Sequence, residues 1–184
     1  MDARERQGVA LRVKEALVLK KLHHVAYRCR DASETTRFYV DLLGLRLSAS
    51  LVQDYVPSIG QDDPHNHVFF AMSDGSFIAF FDVLHDRGPF LPSGHSWAQH
   101  LALEVASEAE AQQTAMRLRE HGVEVIGPVD HHFCKSWYFH DPNGHRLELS
   151  VRTEHDETWQ ELGAEAPEQV RIWTERKREQ GAAT

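Results

Sequence analysis

The sequence is poor in cysteine, in long apolar runs and in blocks of like charge. Its 184 residues contain two cysteines, which is too few for a disulfide framework and fits a reducing compartment. Because the apolar runs are too short to span a membrane and the N-terminus lacks the apolar core of a signal peptide, we expect a cytoplasmic protein. The net charge of −8, with no basic cluster, argues against nucleic acid and membranes as partners.

The sequence does contain a strand–helix–strand–strand–strand pattern, and the pattern occurs twice. In the first copy a strand-like run at 22–29 precedes a helix that begins near Asp31 and ends at a glycine. In the second copy the run at 99–105 precedes a helix that Ser107 caps. The strand-like runs that follow the two helices are 45–52, 67–72 and 77–84 in the first copy and 123–126, 136–139 and 146–151 in the second.

The repeat predicts an α+β fold in which two βαβββ modules pair into one eight-stranded, open, barrel-like mixed sheet around a cavity. Charged segments with spaced apolar residues flank this domain and predict helices on its outside. The predicted boundaries are 1–20 for the N-terminal helical extension, 21–152 for the domain, with modules 21–84 and 98–152 and the linker 85–97, and 153–184 for the C-terminal helical tail.

An acidic residue, Glu148, lies between two leucines in a run that otherwise has the composition of a buried strand. A turn at 141–144 places it on the second strand of a hairpin. Taken alone, Glu148 is more readily explained as the solvent-facing residue of an alternating strand. The repeat changes this interpretation, because His24 and His100 occupy the same place in the two first strands and would meet Glu148 inside the barrel.

Two imidazoles and one carboxylate, with open coordination positions, form the ligand set of non-haem Fe(II) and related divalent sites. We therefore predict a metal site made of His24, His100 and Glu148. His23 faces the other way by strand alternation, so an error of one residue would exchange it with His24. In the alignment of the two modules, Ala79 stands where Glu148 stands.

Three segments resemble the vicinal oxygen chelate superfamily, which includes glyoxalases, fosfomycin-type resistance transferases and extradiol ring-cleaving dioxygenases. They are LHHV at 22–25, FYVDLLGL at 38–45 and DPNGHRLEL at 141–149, and the resemblance covers roughly residues 21–152. Glyoxalase I-like members normally carry an acidic ligand where this chain has Ala79, which counts against a glyoxalase-type lyase. The fosfomycin-type transferases share the His, His, Glu set, so the ligands do not separate them from the dioxygenases.

The residues around the ligands resemble the extradiol dioxygenase signature. His131, Tyr138, the 141–144 turn and Glu148 follow its spacing, and Trp137 departs from it by standing where a smaller apolar residue is usual. This resemblance implies a compact, single-domain extradiol enzyme.

The same resemblance implies roles for three catalytic residues. The segment 66–70 is similar to the one that holds the acid–base histidine, so His67 would move protons, while His131 and Tyr138 would hydrogen-bond the substrate or the bound oxygen. Each residue also has a structural explanation: His67 as an exposed histidine beside His65, Tyr138 as a core aromatic residue, and His131 as a loop histidine interchangeable with His132.

The sequence thus leads to the expectation of an Fe(II)-dependent extradiol dioxygenase that cleaves a catechol-type ring with O2. Its partners would be a small aromatic diol and a second copy of the chain, since compact barrels of this kind commonly form homodimers. Mn(II) or another divalent metal is the alternative cofactor. The alternative functions are a redox-neutral lyase or transferase of the glyoxalase or fosfomycin-resistance type, and a small-molecule-binding resistance protein that has no use for the three ligands.

Overall fold

The computed structural model describes residues 19–86, 98–153 and 157–179. Nearly all of the predicted N-terminal helix (1–20) and of the predicted linker (85–97) lies outside the described residues. Within the described ranges, the strand–helix–strand–strand–strand pattern is present twice. None of the described helices is long and apolar enough to cross a membrane.

The first module begins with β1 (His24–Cys29) and continues through a short helix into three strands. Its other elements are α1 (Ala32–Arg37), a π-helical segment (Phe38–Leu42), β2 (Arg46–Val56), β3 (Gln61–Ala71) and β4 (Phe77–Val83). The second module consists of β5 (Leu101–Glu104), α2 (Glu108–Glu120), β6 (Ile126–Asp130), β7 (Cys134–His140) and β8 (Arg146–Arg152). A final helix, α3 (Thr158–Glu179), follows.

Each module forms its own four-stranded mixed sheet. Sheet A has the order β1-β4-β3-β2 and sheet B the order β5-β8-β7-β6, and in each the first strand of the module is parallel to the last. Ala26 pairs with Ala79 as Ala102 pairs with Glu148, so the predicted equivalence of Ala79 and Glu148 is present in the strand register. The predicted α+β fold of two βαβββ modules is confirmed, although the two sheets are not closed into a barrel.

Helices α1 and α2 pack on one face of the sheets, the covered face, and the first turn of α3 contacts the opposite, open face at one end of sheet B. Side chains of both modules on the covered faces form one hydrophobic core, which includes Phe70 and Phe80 from sheet A and Phe139 and Leu147 from sheet B. Because alternate residues of a strand point to opposite faces, the neighbours of these core residues lie on the open faces. The predicted ligands on strands therefore lie on the open faces.

The turn at 141–144 ties the two modules together. The buried Asp141 carboxylate accepts a hydrogen bond from the Tyr39 hydroxyl of the first module at 3.1 Å, and from the backbone N–H groups of Asn143 and His145 at 2.9 and 2.8 Å. Asn143 in turn donates from Nδ2 to the Thr35 hydroxyl at 3.1 Å. These contacts satisfy polar groups that would otherwise be buried without partners.

Helix α3 is one continuous helix of 22 residues with Pro167 inside it, and none of its residues, all of which the structure describes, is buried. Its first turn nevertheless contacts sheet B, because the Trp159 ring lies 5.6 Å from the Phe133 ring, centroid to centroid. The described part of the predicted C-terminal tail is thus helical.

Replacing Asp141 by alanine should destabilise the fold. Asp141→Ala removes the acceptor of four hydrogen bonds and leaves the buried Tyr39 hydroxyl unsatisfied. We expect the free energy of unfolding to fall by about 3 kcal/mol, since an unsatisfied buried polar group costs about 1–3 kcal/mol. Urea denaturation measures the change, and the exposed Asp62→Ala control should lose less than about 0.5 kcal/mol. Equal losses in the two variants would contradict the role of Asp141.

Candidate metal centre

Glu148 is a buried carboxylate on the open face of sheet B, and its side chain has two polar partners. The Ser136 hydroxyl donates to Oε1 at 2.5 Å, and His100 Nε2 lies 3.0 Å from Oε2. His100 stands two residues before Ala102, the strand partner of Glu148, so the parallel pairing of β5 and β8 brings the imidazole to the carboxylate. The partners explain how an acidic residue is tolerated in this strand.

The donor atoms of this pair fit a divalent metal. An imidazole nitrogen and a carboxylate oxygen 3.0 Å apart present two donors to one place, and this donor combination suits Mn(II), Fe(II), Ni(II) and Zn(II). The described residues of one chain do not, however, contain a group of three or more His, Cys, Asp or Glu side chains close enough to hold a metal ion. Within the described part of one chain, the predicted ligands thus do not form a complete set.

His24, the third predicted ligand, lies on sheet A away from this pair. It begins β1, its side chain is exposed, and its Nδ1 lies 2.7 Å from Nδ1 of His23. Since the two sheets are not closed around a common centre, a single chain brings together His100 and Glu148 and holds His24 separately.

His67 lies near His24 on the open face of sheet A, with 6.5 Å between the ring centroids. Its ring stacks on the Phe81 ring, with 3.7 Å between the centroids, and its centroid lies 4.1 Å from that of Phe69. Among the described residues, its buried Nε2 has no hydrogen-bond partner. Burial, reinforced by the neighbouring His24 and His65, lowers the pKa of His67 from 6.5 to about 4. The ring is therefore neutral at physiological pH.

His131 and Tyr138 are in contact on sheet B. His131 Nε2 lies 2.8 Å from the Tyr138 hydroxyl, and Tyr138 pairs with Glu148 across β7 and β8. Burial raises the pKa of Tyr138, the nearby Glu148 carboxylate adds to this effect, and a hydrogen bond with Ser136 opposes it. The phenol therefore stays protonated and can donate. His132, the alternative to His131, instead has a positive φ of 69° and donates its backbone N–H to Asp130.

Sequence reasoning missed two residues of this face, Ser136 and Arg146. Ser136 holds the Glu148 carboxylate, and the Arg146 guanidinium lies 4.4 Å from the centroid of the Tyr138 ring. Strand alternation was the available signal, since Ser136 is two residues from Tyr138 and Arg146 two residues from Glu148. Trp137, the departure from the extradiol signature, is a buried core residue.

The chain matches the family described as "Glyoxalase/Bleomycin resistance protein/Dioxygenase superfamily" over residues 21–149. The chain belongs to this superfamily. Among curated superfamily members it is similar to the metallothiol transferase FosB of Staphylococcus epidermidis, with 30% identity over 116 residues, 48% of this chain and 81% of the relative. It is also similar to the glutathione transferase FosA of Serratia marcescens, with 27% identity over 134 residues, 73% of this chain and 82% of the relative.

Solved structures of the superfamily share the fold. The fosfomycin resistance protein FosX of Listeria monocytogenes is 23% identical, with a TM-score of 0.54 and coverage of 74% of this chain and 96% of that one. A glyoxalase/dioxygenase from Nostoc punctiforme is 25% identical, with a TM-score of 0.53 and coverage of 73% and 92%. A further FosX structure, which is complexed with Mn(II) and sulfate, has 22% identity, a TM-score of 0.51 and coverage of 74% and 95%.

The expected enzyme class, an extradiol dioxygenase, is wrong, whereas the expected superfamily is confirmed. The curated relatives are transferases, and they leave the oxidoreductase assignment, the catechol, O2 and Fe(II) without support. The structure gives a physical reason for the error. The 141–144 turn, which contributed much of the extradiol signature, ties the two modules together and is therefore needed by the fold whatever the reaction.

The lowered pKa of His67 predicts a loss of stability in acid. With the metal removed by a chelator, the unfolded chain takes up a proton on this histidine near pH 6.5 and the folded chain only near pH 4, so stability falls as the pH drops through this window. His67→Phe should lose less stability between pH 7 and pH 5 than the wild type, and urea denaturation at both pH values measures the difference. The exposed His121→Phe control should match the wild type; a wild-type pH dependence in His67→Phe would contradict the assignment.

Proposed function

We propose that this protein is a metal-dependent, redox-neutral transferase or lyase of the fosfomycin-resistance type, which adds a nucleophile to a small electrophile that carries an oxyanion. The observation that carries the proposal is the His100–Glu148 pair, with its buried carboxylate held by Ser136. The similarity to two curated transferases supports the same reaction class. A protein that only sequesters small molecules has no use for such a pair.

The metal in this proposal is Mn(II) or another divalent ion. His100 and Glu148 would hold it with His24, and the FosX structure that contains Mn(II) supports this choice. When bound, the ion would act as a Lewis acid toward an oxygen of the substrate.

We further propose that His24 reaches the site from a second copy of the chain. The open face of sheet A exposes His24, and the open face of sheet B carries the His100–Glu148 pair, with His100 half-exposed. In a two-fold dimer, sheet A of one copy would face sheet B of the other across a shared cleft, which would create two equivalent sites. The expected homodimer would then be required for metal binding.

The other side chains suit the opening of an epoxide such as that of fosfomycin. A thiol or water would form a bond to a ring carbon while the carbon–oxygen bond breaks. His67, whose Nε2 has no hydrogen-bond partner among the described residues, is the candidate acceptor of the nucleophile's proton. The protonated Tyr138, oriented by His131, can donate a hydrogen bond to the oxygen on which charge develops and which finally takes up a proton.

Metal binding should depend on all three predicted ligands. We expect His24→Ala, His100→Ala and Glu148→Gln each to weaken Mn(II) binding at least about 100-fold, and Ser136→Ala, which acts through Glu148, to weaken it roughly 10-fold. Isothermal titration calorimetry on chelator-treated protein measures these affinities. His121→Ala, an exposed histidine at the end of α2, is the control and should bind as the wild type does.

Mixing two inactive variants tests whether the site is shared between copies. In a heterodimer of His24→Ala and His100→Ala, both substitutions fall in one site and the other site is intact. Random mixing of equal amounts makes about half of the dimers heterodimers, so about one quarter of all sites should recover Mn(II) binding after co-refolding. Failure to recover any site, with each variant folded and dimeric, would show that His24 does not reach the metal centre from a second copy.

Activity can be followed by phosphorus NMR of fosfomycin with the Mn(II)-loaded protein. We expect a shifted product signal with at least one nucleophile from a set of glutathione, cysteine and water. Tyr138→Phe should retain Mn(II) and lower kcat at least about 10-fold, because it removes one hydrogen-bond donor to the developing charge. Unchanged fosfomycin with every nucleophile would overturn fosfomycin as the substrate, and full activity of Tyr138→Phe would overturn the role of Tyr138.

A further inference from the structure

The open face of sheet B continues beyond the His100–Glu148 pair into a cavity of about 200 Å³. The cavity has a polar floor on the strands and two aromatic rings at its far end. Its lining consists of Ala102, Glu104, Phe133, Cys134, Ser150, Arg152 and Trp159. None of these residues belongs to the metal centre proposed above.

Strand geometry places this cavity in line with the metal centre. Glu148, Ser150 and Arg152 are alternate residues of β8, so they lie on the same face of the sheet. The cavity begins beside Glu148 at its strand partner Ala102, and with a rise of about 3.3 Å per residue Ser150 and Arg152 lie about 7 and 13 Å along the strand from Glu148. A molecule bound at the metal centre could therefore extend into the cavity without leaving this face.

The far end of the cavity is formed by two aromatic side chains that are incompletely buried. Trp159 and Phe133 are 53% and 38% exposed, although their rings contact each other. Next to them the Arg152 guanidinium donates to the Glu104 carboxylate at 2.9 Å. Large apolar rings left open to solvent beside a polar floor are typical of a ligand-binding cleft.

The walls of the cavity come partly from chain beyond the superfamily match. That match ends at residue 149, while Ser150, Arg152 and Trp159 follow it. Helix α3 supplies Trp159 from its first turn. Three of the seven lining residues of the cavity thus lie beyond the segment that matches the superfamily.

We propose that this cavity is a substrate subsite for an aromatic or similarly flat apolar group, whose oxyanion-bearing end lies at the His100–Glu148 pair. The inference rests on the proposed function and deepens it, because fosfomycin has only three carbon atoms and would not reach the aromatic end of the cavity. A cavity of about 150 Å³ is enough for a benzene ring, so the space here accommodates one. The preferred substrate is therefore a longer oxyanion with an aromatic end.

Two phosphonates that share a head group test the subsite. Calorimetry would compare methylphosphonate with 3-phenylpropylphosphonate on the Mn(II)-loaded protein, and we expect the phenyl compound to bind at least about 10-fold more tightly. Trp159→Ala should abolish this difference. Trp173→Ala, an exposed tryptophan of the same helix whose ring faces Arg176, is the matched control and should preserve it.

A metal-free measurement separates failure of the subsite from failure of the proposed function. In chelator-treated protein labelled with 5-fluorotryptophan, 3-phenylpropylphosphonate should shift the fluorine resonance of Trp159 and leave that of Trp173 in place. If methylphosphonate does not bind in the presence of Mn(II) but Trp159 still responds, the proposed function fails and the subsite stands. If the Trp159 resonance does not shift, or if the two phosphonates bind with equal affinity, the proposed subsite is overturned.

Discussion

The arrangement of the molecule depends on α1 and α2 packing against only one face of the sheets. The covered faces merge into a single core, and the Asp141 carboxylate and the Tyr39 hydroxyl fasten the two modules across it. This attachment directs the two open faces away from a common centre. The polar side chains on those faces are consequently divided into two groups, with His24 on sheet A and the His100–Glu148 pair on sheet B.

Much of the fold could be predicted from the sequence, because short local signals mark the ends of its elements and the same order of elements occurs in both modules. Capping residues such as Ser107 and the 141–144 turn fix the ends of elements, and the repeat gives the pairing of strands. The contact of His100 with Glu148 also follows, since His100 lies on the same face as Glu148 and two residues before its strand partner Ala102. What the repeat does not encode is the relative placement of the two sheets, so the separation of His24 from the other two ligands was not predictable.

The reaction was harder to predict than the site. The signature that pointed to a dioxygenase mixes residues needed by the hairpin, such as those of the 141–144 turn, with residues such as Tyr138 that suit several reactions. Strand alternation put Ser136 on the same face as Tyr138, but its role depends on its hydrogen bond to Glu148 on the neighbouring strand. Chemical class therefore depends on contacts between strands, which a linear pattern does not report.

The two modules differ at one equivalent position, where close packing in the first module now opposes an acidic side chain. Ala79 matches Glu148 in strand register and is fully buried. A carboxylate introduced there would have to displace close-packed neighbours and lose its hydration at the same time. If the repeat arose by duplication of one ancestral half, the first half would not easily regain an acidic residue at this position. Point mutation alone would not readily return the chain to a symmetrical ancestor.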